Sequence, residues 1–165
     1  HLLYATDFIP ARRPLTFMST VNFGSMGFGM AACMAAKLTF PERDSVAILG
    51  DGDFAMTMQD IETCVREGIG VKVFIMNDCQ YRVLNIRQKL SYGGRILGTE
   101  HSNPDFAGLA RSFGAVGLTL AEDGAVEEVV ERALDEPGPA FVDVLIDPED
   151  IPPLNLEANL RMSRG

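Results

Sequence analysis

The sequence has few cysteines, fewer basic than acidic residues, and no long apolar run. Its three cysteines, Cys33, Cys64 and Cys79, form no Cys-x-x-Cys pair, which argues against a disulfide framework or a zinc site and favours a reducing compartment such as the cytoplasm. Basic residues number 14 against 23 acidic ones, and the net charge of −9 disfavours nucleic acid and anionic membranes as partners. The apolar stretches, among them the one around residues 71–76, are far too short to cross a bilayer. We therefore expect a soluble protein.

With 165 residues, 47% of them apolar, the chain has the size of one α/β domain. Short β-type runs alternate with helical patterns, which predicts a doubly wound parallel sheet with helices on both faces. We expect this domain to occupy residues 1–150 and to be followed by an irregular tail over residues 151–165. Strands are predicted over residues 15–19, 45–49, 71–76, 115–118 and 140–146. Helices are predicted over 28–38, buried nearly all round, over 58–66, over a segment that starts with the cap Asn103-Pro104-Asp105, and over 123–134, with a long connection over 81–102.

Acidic residues follow two of the predicted strands. The strand 45–49 runs into Gly50-Asp51-Gly52-Asp53, and the strand 71–76 runs into Asn77-Asp78. Neighbouring parallel strands lie about 4.8 Å apart, so Asp51 and Asp78 can reach one ion if the two strands pair. Carboxylate oxygens with a loop carbonyl suit Mg²⁺, which takes its remaining ligands from phosphate and water.

Glycine-rich turns lie at the same predicted edge. Gly50 and Gly52 let the main chain approach a ligand and turn its N–H groups toward an anion. Upstream, Gly24-Ser25-Met26-Gly27 leads into the helix predicted over 28–38, where N–H groups and the helix dipole again favour an anion. Two such turns at one edge suggest a diphosphate.

These motifs resemble the C-terminal, diphosphate-binding domain of thiamine-diphosphate-dependent enzymes of the acetolactate synthase and pyruvate decarboxylase type. The resemblance rests on three segments in order: Met26-Gly27-Phe28-Gly29, then Gly50-Asp51-Gly52 with Asn77-Asp78 at the family's spacing, then Asn103-Pro104-Asp105-Phe106. It covers nearly the whole chain. It implies the family's thiamine-diphosphate-binding fold and a part in decarboxylation and carboligation of a 2-oxo acid, with acetolactate synthase the most similar activity. Sulfoacetaldehyde acetyltransferase-like, 2-oxo acid decarboxylase and oxalyl-CoA decarboxylase-like activities stay open.

Site roles follow from the resemblance residue by residue. It implies that Asp51 and Asp78 bind Mg²⁺ through their side chains and Gln80 through its carbonyl. It implies that Met26 lies under the centre of the cofactor and forces its two rings into the bent, reactive shape. The implied cofactor-binding residues are Gly24, Ser25, Met26, Gly50, Gly52, Asp53, Asn77 and Tyr81.

The sequence departs from the family at two of these positions. The family usually has Asn at the place of Asp78 and a small residue at the place of Asp53, so each departure adds a negative charge near the diphosphate. The family's activating Glu belongs to a separate pyrimidine-binding domain, usually of a neighbouring subunit. We therefore expect such a domain, from the same or another chain, in a homodimer or homotetramer, and the start at His1 favours a fragment.

Other interpretations remain. An Asp-x-Asp pair after a strand is also how haloacid-dehalogenase-like phosphatases present a nucleophile and an acid on Mg²⁺. The turn at residues 24–29 could bind a nicotinamide dinucleotide, although its glycines are not ordered as G-x-G-x-x-G. The Gly50–Asp53 segment could be a plain tight turn. The domain could also be a non-catalytic assembly module. We expect His101 to be solvated.

Overall fold

A computed structural model of the chain describes residues 1–20 and 22–149. Its centre is a sheet of four strands in the order β1-β2-β4-β3, and every neighbouring pair is parallel. The strands are β1 (Ser45–Gly50), β2 (Val71–Asn77), β3 (Val116–Leu120) and β4 (Ala140–Leu145). The helices are α1 (Leu2–Phe8), α2 (Phe28–Thr39), α3 (Asp51–Phe54), α4 (Asp60–Arg66), α5 (Arg82–Ser91), α6 (Phe106–Ser112) and α7 (Val126–Asp135), and a 3₁₀ turn (Asp123–Ala125) precedes α7.

The register of the sheet brings the polar strand ends to one edge. Gly50 at the end of β1 lies opposite Met76, and Asn77 at the end of β2 lies opposite Leu145 of β4. Because all strands are parallel, the segments that follow β1, β2 and β4 leave the sheet on the same side. The residues after Gly50 and Met76 therefore begin within one strand spacing of each other.

Two apolar layers cover the two faces of the sheet. One layer joins α2, α4 and α6 to β1 and β2, and the other joins α7 to β3 and β4. Alternate side chains of a strand point to opposite faces, which explains why Val73 belongs to the first layer and Phe74 to the second. Phe54, at the end of α3, is fully buried and packs against the rings of Phe106 and Phe141, at 5.5 and 5.8 Å between centroids. Its burial anchors the Asp51–Phe54 turn to the core.

The strand predicted over residues 15–19 is absent. This segment is a turn followed by irregular chain, and Leu15 is 94% exposed with a φ of 58°. The left-handed φ is incompatible with a strand, and the segment has no neighbouring strand to pair with among the described residues. Its β-branched and apolar composition was therefore misleading.

The helix predicted over residues 28–38 exists, but its predicted burial is wrong. Met30 and Cys33 are buried against the sheet, whereas Phe28 is 40% and Leu38 65% exposed. One face of α2 rests on the sheet, and its opposite face remains open to solvent. The helices predicted over 58–66 and 123–134 form over Asp60–Arg66 and Val126–Asp135.

Two predictions about the segment after β2 also need correction. The connection over residues 81–102 contains α5 rather than an irregular loop, with Asn85 and Ile86 buried. The cap of α6 is Asp105, whose side chain accepts the N–H of Gly108 at 2.7 Å, and not Asn103. Asn103 is instead drawn into the site described below.

The predicted tail over residues 151–165 lies outside the described residues. Within the described part of the chain, no helix combines the length and the apolar character that a bilayer crossing requires.

Candidate functional site

Asp51 links the ends of β1 and β2. It follows β1 directly and is 2% exposed. Its Oδ2 accepts the main-chain N–H groups of Cys79 at 2.7 Å and of Asp78 at 3.2 Å, while its Oδ1 accepts the N–H of Gly52 at 2.7 Å. Cys79 reaches this position with a left-handed φ of 57°. The two strand ends thus meet at one buried carboxylate.

Asp78 is held by an arginine one helical turn further on. Its Oδ2 forms an ion pair with Nε of Arg82, and its Oδ1 accepts the N–H of Gln80 at 3.0 Å. The two paired side chains are only 5% and 17% exposed. Arg82 also donates from Nη2 to the carbonyl of Asp147 at 2.9 Å. The negative charge that Asp78 adds is therefore balanced locally, and each carboxylate oxygen keeps a second lone pair.

Gln80 lies in a short antiparallel bridge with Glu100. The N–H of Tyr81 donates to the carbonyl of Thr99 at 2.8 Å, and the carbonyl of Cys79 accepts the next bond of the bridge. The hydrogen bonds of the bridge are made by main-chain groups of Cys79 and Tyr81, and neither of them involves the carbonyl of Gln80. The Oε1 of Gln80 is buried without a hydrogen-bond partner in the described structure. An unpartnered oxygen beside the Asp51 loop is an acceptor that a cation or its water could use.

Gly52 lies beneath the side chains of Tyr81 and Met26. A Cβ at Gly52 would lie 2.5 Å from Cε1 of Tyr81 and 3.4 Å from Cε of Met26, so this position requires glycine. The Tyr81 ring also packs against His101, at 4.8 Å between centroids. The side chains of Tyr81 and Met26 therefore lie directly over the main chain of the turn that carries Asp51.

The upstream glycine turn is joined to the Asp51 turn by Asp53. The N–H of Gly27, whose φ is 85° at the start of α2, donates to Oδ1 of Asp53. Burial raises the pKa of Asp53, and the Gly27 N–H opposes that rise. Gly24 and Ser25 lie on the exposed side of this turn.

At the other end of the site, the imidazole of His1 lies against Gly50. A Cβ at Gly50 would lie 2.8 Å from Cε1 of His1.

Asn77 is oriented by a buried acid that the sequence prediction missed. Its Nδ2 donates to Oδ1 of Asp143 at 2.9 Å, and its Oδ1 accepts from Nδ2 of Asn103 at 2.8 Å. Burial raises the pKa of Asp143, while its bonds from Asn77 and the Phe106 N–H lower it. A single acid inside the apolar strand Ala140–Leu145 was the available signal.

His101 is not solvated, contrary to the prediction. Its side chain is 19% exposed, and its Nε2 lies 3.7 Å from Oδ1 of Asp51. Nε2 is buried and makes no hydrogen bond within the described residues, and Nδ1 lies 3.1 Å from Oδ1 of Asn103. Sequence gave no signal for this placement, because it depends on the bridge between Gln80 and Glu100.

The residues fit a magnesium ion with a diphosphate. Asp51, Asp78 and the Gln80 carbonyl are hard oxygen donors of the kind that Mg²⁺ prefers. Over residues 1–20 and 22–149, no three side chains of His, Cys, Asp or Glu gather to form a metal centre by themselves. Mg²⁺ commonly keeps several waters and takes substrate phosphates as ligands. The buried Gln80 Oε1, which has no hydrogen-bond partner in the described structure, is the observation that supports the fit.

Residues 1–144 match the family described as "Thiamine pyrophosphate enzyme, C-terminal TPP binding domain". The chain belongs to this family. Thiamine pyrophosphate is the same compound as thiamine diphosphate, so the resemblance, the fold class and the cofactor inferred from the sequence are confirmed. Membership in the thiamine pyrophosphate family excludes the phosphatase and nicotinamide dinucleotide interpretations.

Several relatives of the chain are acetolactate synthases. It is 31% identical over 147 residues to the mitochondrial acetolactate synthase catalytic subunit of Aspergillus candidus, covering 89% of this chain and 21% of the relative. It is 36% identical over 138 residues to an acetolactate synthase large subunit of Mycobacterium tuberculosis, covering 81% and 22%. It is 33% identical over 149 residues to that of Haemophilus influenzae, covering 89% and 26%. The chain thus spans about a quarter or less of these relatives.

Proposed function

We propose that this chain supplies the Mg²⁺- and diphosphate-binding half of the active site in an enzyme that decarboxylates a 2-oxo acid and joins the product to an acceptor, as acetolactate synthases do. The family match gives the cofactor, and relatives named acetolactate synthase at 31–36% identity favour this reaction over others. The cofactor serves as an electron sink for the carbanion left by decarboxylation.

The chain's own residues would divide the work of holding the cofactor. Asp51, Asp78 and the carbonyl of Gln80 would bind Mg²⁺. Main-chain groups of Gly50 and Gly52, together with Asp53, Asn77 and the Gly24-Ser25 turn, would lie along the diphosphate. Met26 and Tyr81 would border the rings, and Met26 would enforce their bend. The contact of both side chains with the Gly52 position supports this assignment of Met26 and Tyr81 to one part of the site.

One observation carries the proposal. The Oδ2 of Asp51 accepts N–H groups from both Asp78 and Cys79, so the ends of β1 and β2 are held around one carboxylate. Such a carboxylate can bind a cation without further movement of the strands. A plain tight turn after β1 would not require this contact with β2.

Substrate choice depends on residues beyond this chain. The activating Glu, part of the acyl-acceptor pocket and the pyrimidine-binding domain would come from another segment or subunit, in a homodimer or homotetramer. Sulfoacetaldehyde acetyltransferase-like, 2-oxo acid decarboxylase and oxalyl-CoA decarboxylase-like reactions use the same cofactor half and remain alternatives.

Three unpaired thiols suit the reducing cytoplasm that we propose as the location.

A non-catalytic assembly module is the alternative of a different class. The added charges of Asp53 and Asp78 would then be signs of lost cofactor binding. The pairing of Asp78 with Arg82 argues against this alternative, because it removes one of the two added charges.

Calorimetry of the complete enzyme with thiamine diphosphate tests the proposal. We expect binding that requires Mg²⁺, and we expect Asp51→Ala to abolish it because the variant removes a carboxylate ligand. Asp135→Ala, an exposed acid at the end of α7, serves as the control and should bind as the wild type does. No magnesium-dependent binding by the wild type would favour the assembly module. Unchanged affinity in Asp51→Ala would refute the ligand assignment alone.

A further inference from the structure

A relay of polar side chains, buried at Asp143 and Asn77 and half-buried at Asn103, joins β4 to the ends of β1 and β2 behind Asp51. Asp143 of β4, 4% exposed, accepts from Nδ2 of Asn77 at 2.9 Å. Oδ1 of Asn77 accepts from Nδ2 of Asn103 at 2.8 Å. The same Nδ2 donates to Oδ2 of Asp51 at 2.7 Å. Hydrogen bonds thereby connect the buried carboxylate of Asp143, through Asn77 and Asn103, to the buried carboxylate of Asp51, although these residues are far apart in sequence.

The acceptors fix the direction of both amides. Both oxygens of Asp143 accept hydrogen bonds, the second from the N–H of Phe106 at 3.2 Å, so Asn77 must turn its NH₂ group toward Asp143 and its oxygen toward Asn103. Asn103 must then turn its NH₂ group toward Asn77 and Asp51. Its own oxygen lies 3.1 Å from Nδ1 of His101.

Only an amide meets these demands at position 103. One nitrogen with two hydrogens serves Asn77 and Asp51 at once, and the third contact of that nitrogen, to Sγ of Cys79, is long at 3.6 Å. A hydroxyl has one hydrogen to donate, and a carboxylate has none when ionised. The side chain is not needed to cap α6, because Asp105 does that.

We propose that Asn103 is a positioning residue for the cation-binding carboxylate of Asp51, and that Asp143 fixes the direction of this relay through Asn77. The inference rests on the proposed function. Asn103 and the N–H groups of Asp78 and Cys79 together hold Oδ2 of Asp51, whereas Oδ1 accepts only the N–H of Gly52 among the hydrogen bonds described. Oδ1 therefore keeps acceptor capacity for a cation or its water.

The consequence is a specific dependence on magnesium. Partners that orient a metal-binding residue typically change metal affinity by about 10- to 100-fold when they are removed. Without Asn103, Asp51 loses one of three donors to Oδ2, and its carboxylate is held less firmly in the orientation that binds the cation. More Mg²⁺ would then be needed to bind the same amount of cofactor.

The test uses Asn103→Leu in the complete enzyme, a variant of similar size without a donor. We measure by calorimetry the Mg²⁺ concentration that gives half-maximal thiamine diphosphate binding, with no substrate present. We expect it to rise by about 10- to 100-fold, with turnover recovering largely at saturating Mg²⁺. The control is Asn85→Leu, the same substitution at an amide that is more deeply buried than Asn103, donates to Oγ1 of Thr99 and touches neither Asp51 nor Asn77 in any described contact. The control should keep the wild-type magnesium dependence.

A second variant keeps the test decisive if Asn103→Leu does not fold. Asn103→Ser retains one hydrogen to donate, so we expect a smaller rise in the same half-saturating Mg²⁺ concentration. A folded Asn103 variant with the wild-type magnesium dependence would overturn the positioning role and leave the proposed function intact. A wild-type enzyme that binds thiamine diphosphate without regard to Mg²⁺ would overturn the proposed function, and this inference with it.

Discussion

Asp53 is the residue at which the chain most clearly acts against its own cofactor site. Its carboxylate accepts a hydrogen bond from the N–H of Gly27, at the start of α2. This N–H group is therefore not available to donate to an anionic ligand. The pKa of Asp53 is raised because burial disfavours the charged form. The charged carboxylate therefore destabilises the fold, and in the proposed site it would also repel the diphosphate.

We predict that Asp53→Asn binds thiamine diphosphate more tightly and is more stable at neutral pH. The folded pKa lies above the unfolded value of 3.8, so the ionised group destabilises the fold above the folded pKa, and this effect fades as pH falls toward 3.8. The gain in melting temperature over the wild type should therefore be largest at neutral pH and disappear as the pH falls to the unfolded pKa of 3.8. Calorimetry checks the affinity for thiamine diphosphate. Thermal unfolding between about pH 4 and about pH 8 checks the stability, because linkage predicts the change within this range. A variant that is less stable at neutral pH would show that the Gly27 bond outweighs burial.

The site residues that sequence could reveal are those that follow strands. Asp51 and Asn77 were found because a polar residue directly after a buried strand lies at a known edge of a parallel sheet. Asn103 and Asp143 were not found, because their partners are distant in sequence and only the packing of α6 against β4 brings them together. Asn103 was further obscured by Pro104, which made it look like a helix cap.

At the scale of elements, all four strands of the sheet could be predicted, and the clearest of them was β2. β2 is buried along nearly its whole length, and its apolar run was sufficient to identify it. The segment over 15–19 has similar composition but lies on the surface in a turn. α5 was missed because its sequence is largely polar and its helix is fixed by contacts at the two ends, one of which is the pair of Asp78 with Arg82.

That ion pair leads to a prediction about α5. Removing Arg82 leaves the Asp78 carboxylate, 5% exposed, without its charged partner at the start of the helix. Exposed pairs contribute little and breaking buried pairs costs several kcal/mol, so Arg82→Met should cost about 1–3 kcal/mol in unfolding free energy. We also expect faster proteolytic cleavage within α5 and weaker Mg²⁺-dependent cofactor binding, because Gln80 lies between the two residues.

The chain offers a matched control for this variant. Arg66 forms an ion pair with Glu62 at the same helical spacing, but both side chains are more than half exposed. Arg66→Met should leave the melting temperature, the cleavage rate and cofactor binding unchanged. Equal effects of the two variants would show that burial of the Asp78 pair has no special importance.

At the scale of the whole molecule, several large apolar side chains near α2 are exposed, as the proposed assembly requires. Phe23 is 92%, Leu15 94% and Leu38 65% exposed, all in or before α2. An apolar side chain that is exposed in one domain can be covered where that domain packs against another one. The chain also spans only 21–26% of the three relatives described above. These observations support a domain that works beside another one, as the proposed pyrimidine-binding partner requires.

The corresponding prediction is that this chain alone does not turn over pyruvate. The Mg²⁺ and diphosphate groups converge within it, but the activating Glu would come from the partner domain. Loss of a positioned acid or base typically slows catalysis by about 10²- to 10⁴-fold, and the partner's share of the substrate pocket would be missing as well. Release of CO₂ from pyruvate should therefore be undetectable for the chain alone and present in the complete enzyme, with both saturated in Mg²⁺ and thiamine diphosphate. Turnover by these 165 residues without a partner would place the activating group inside the chain and contradict the proposed division of the active site.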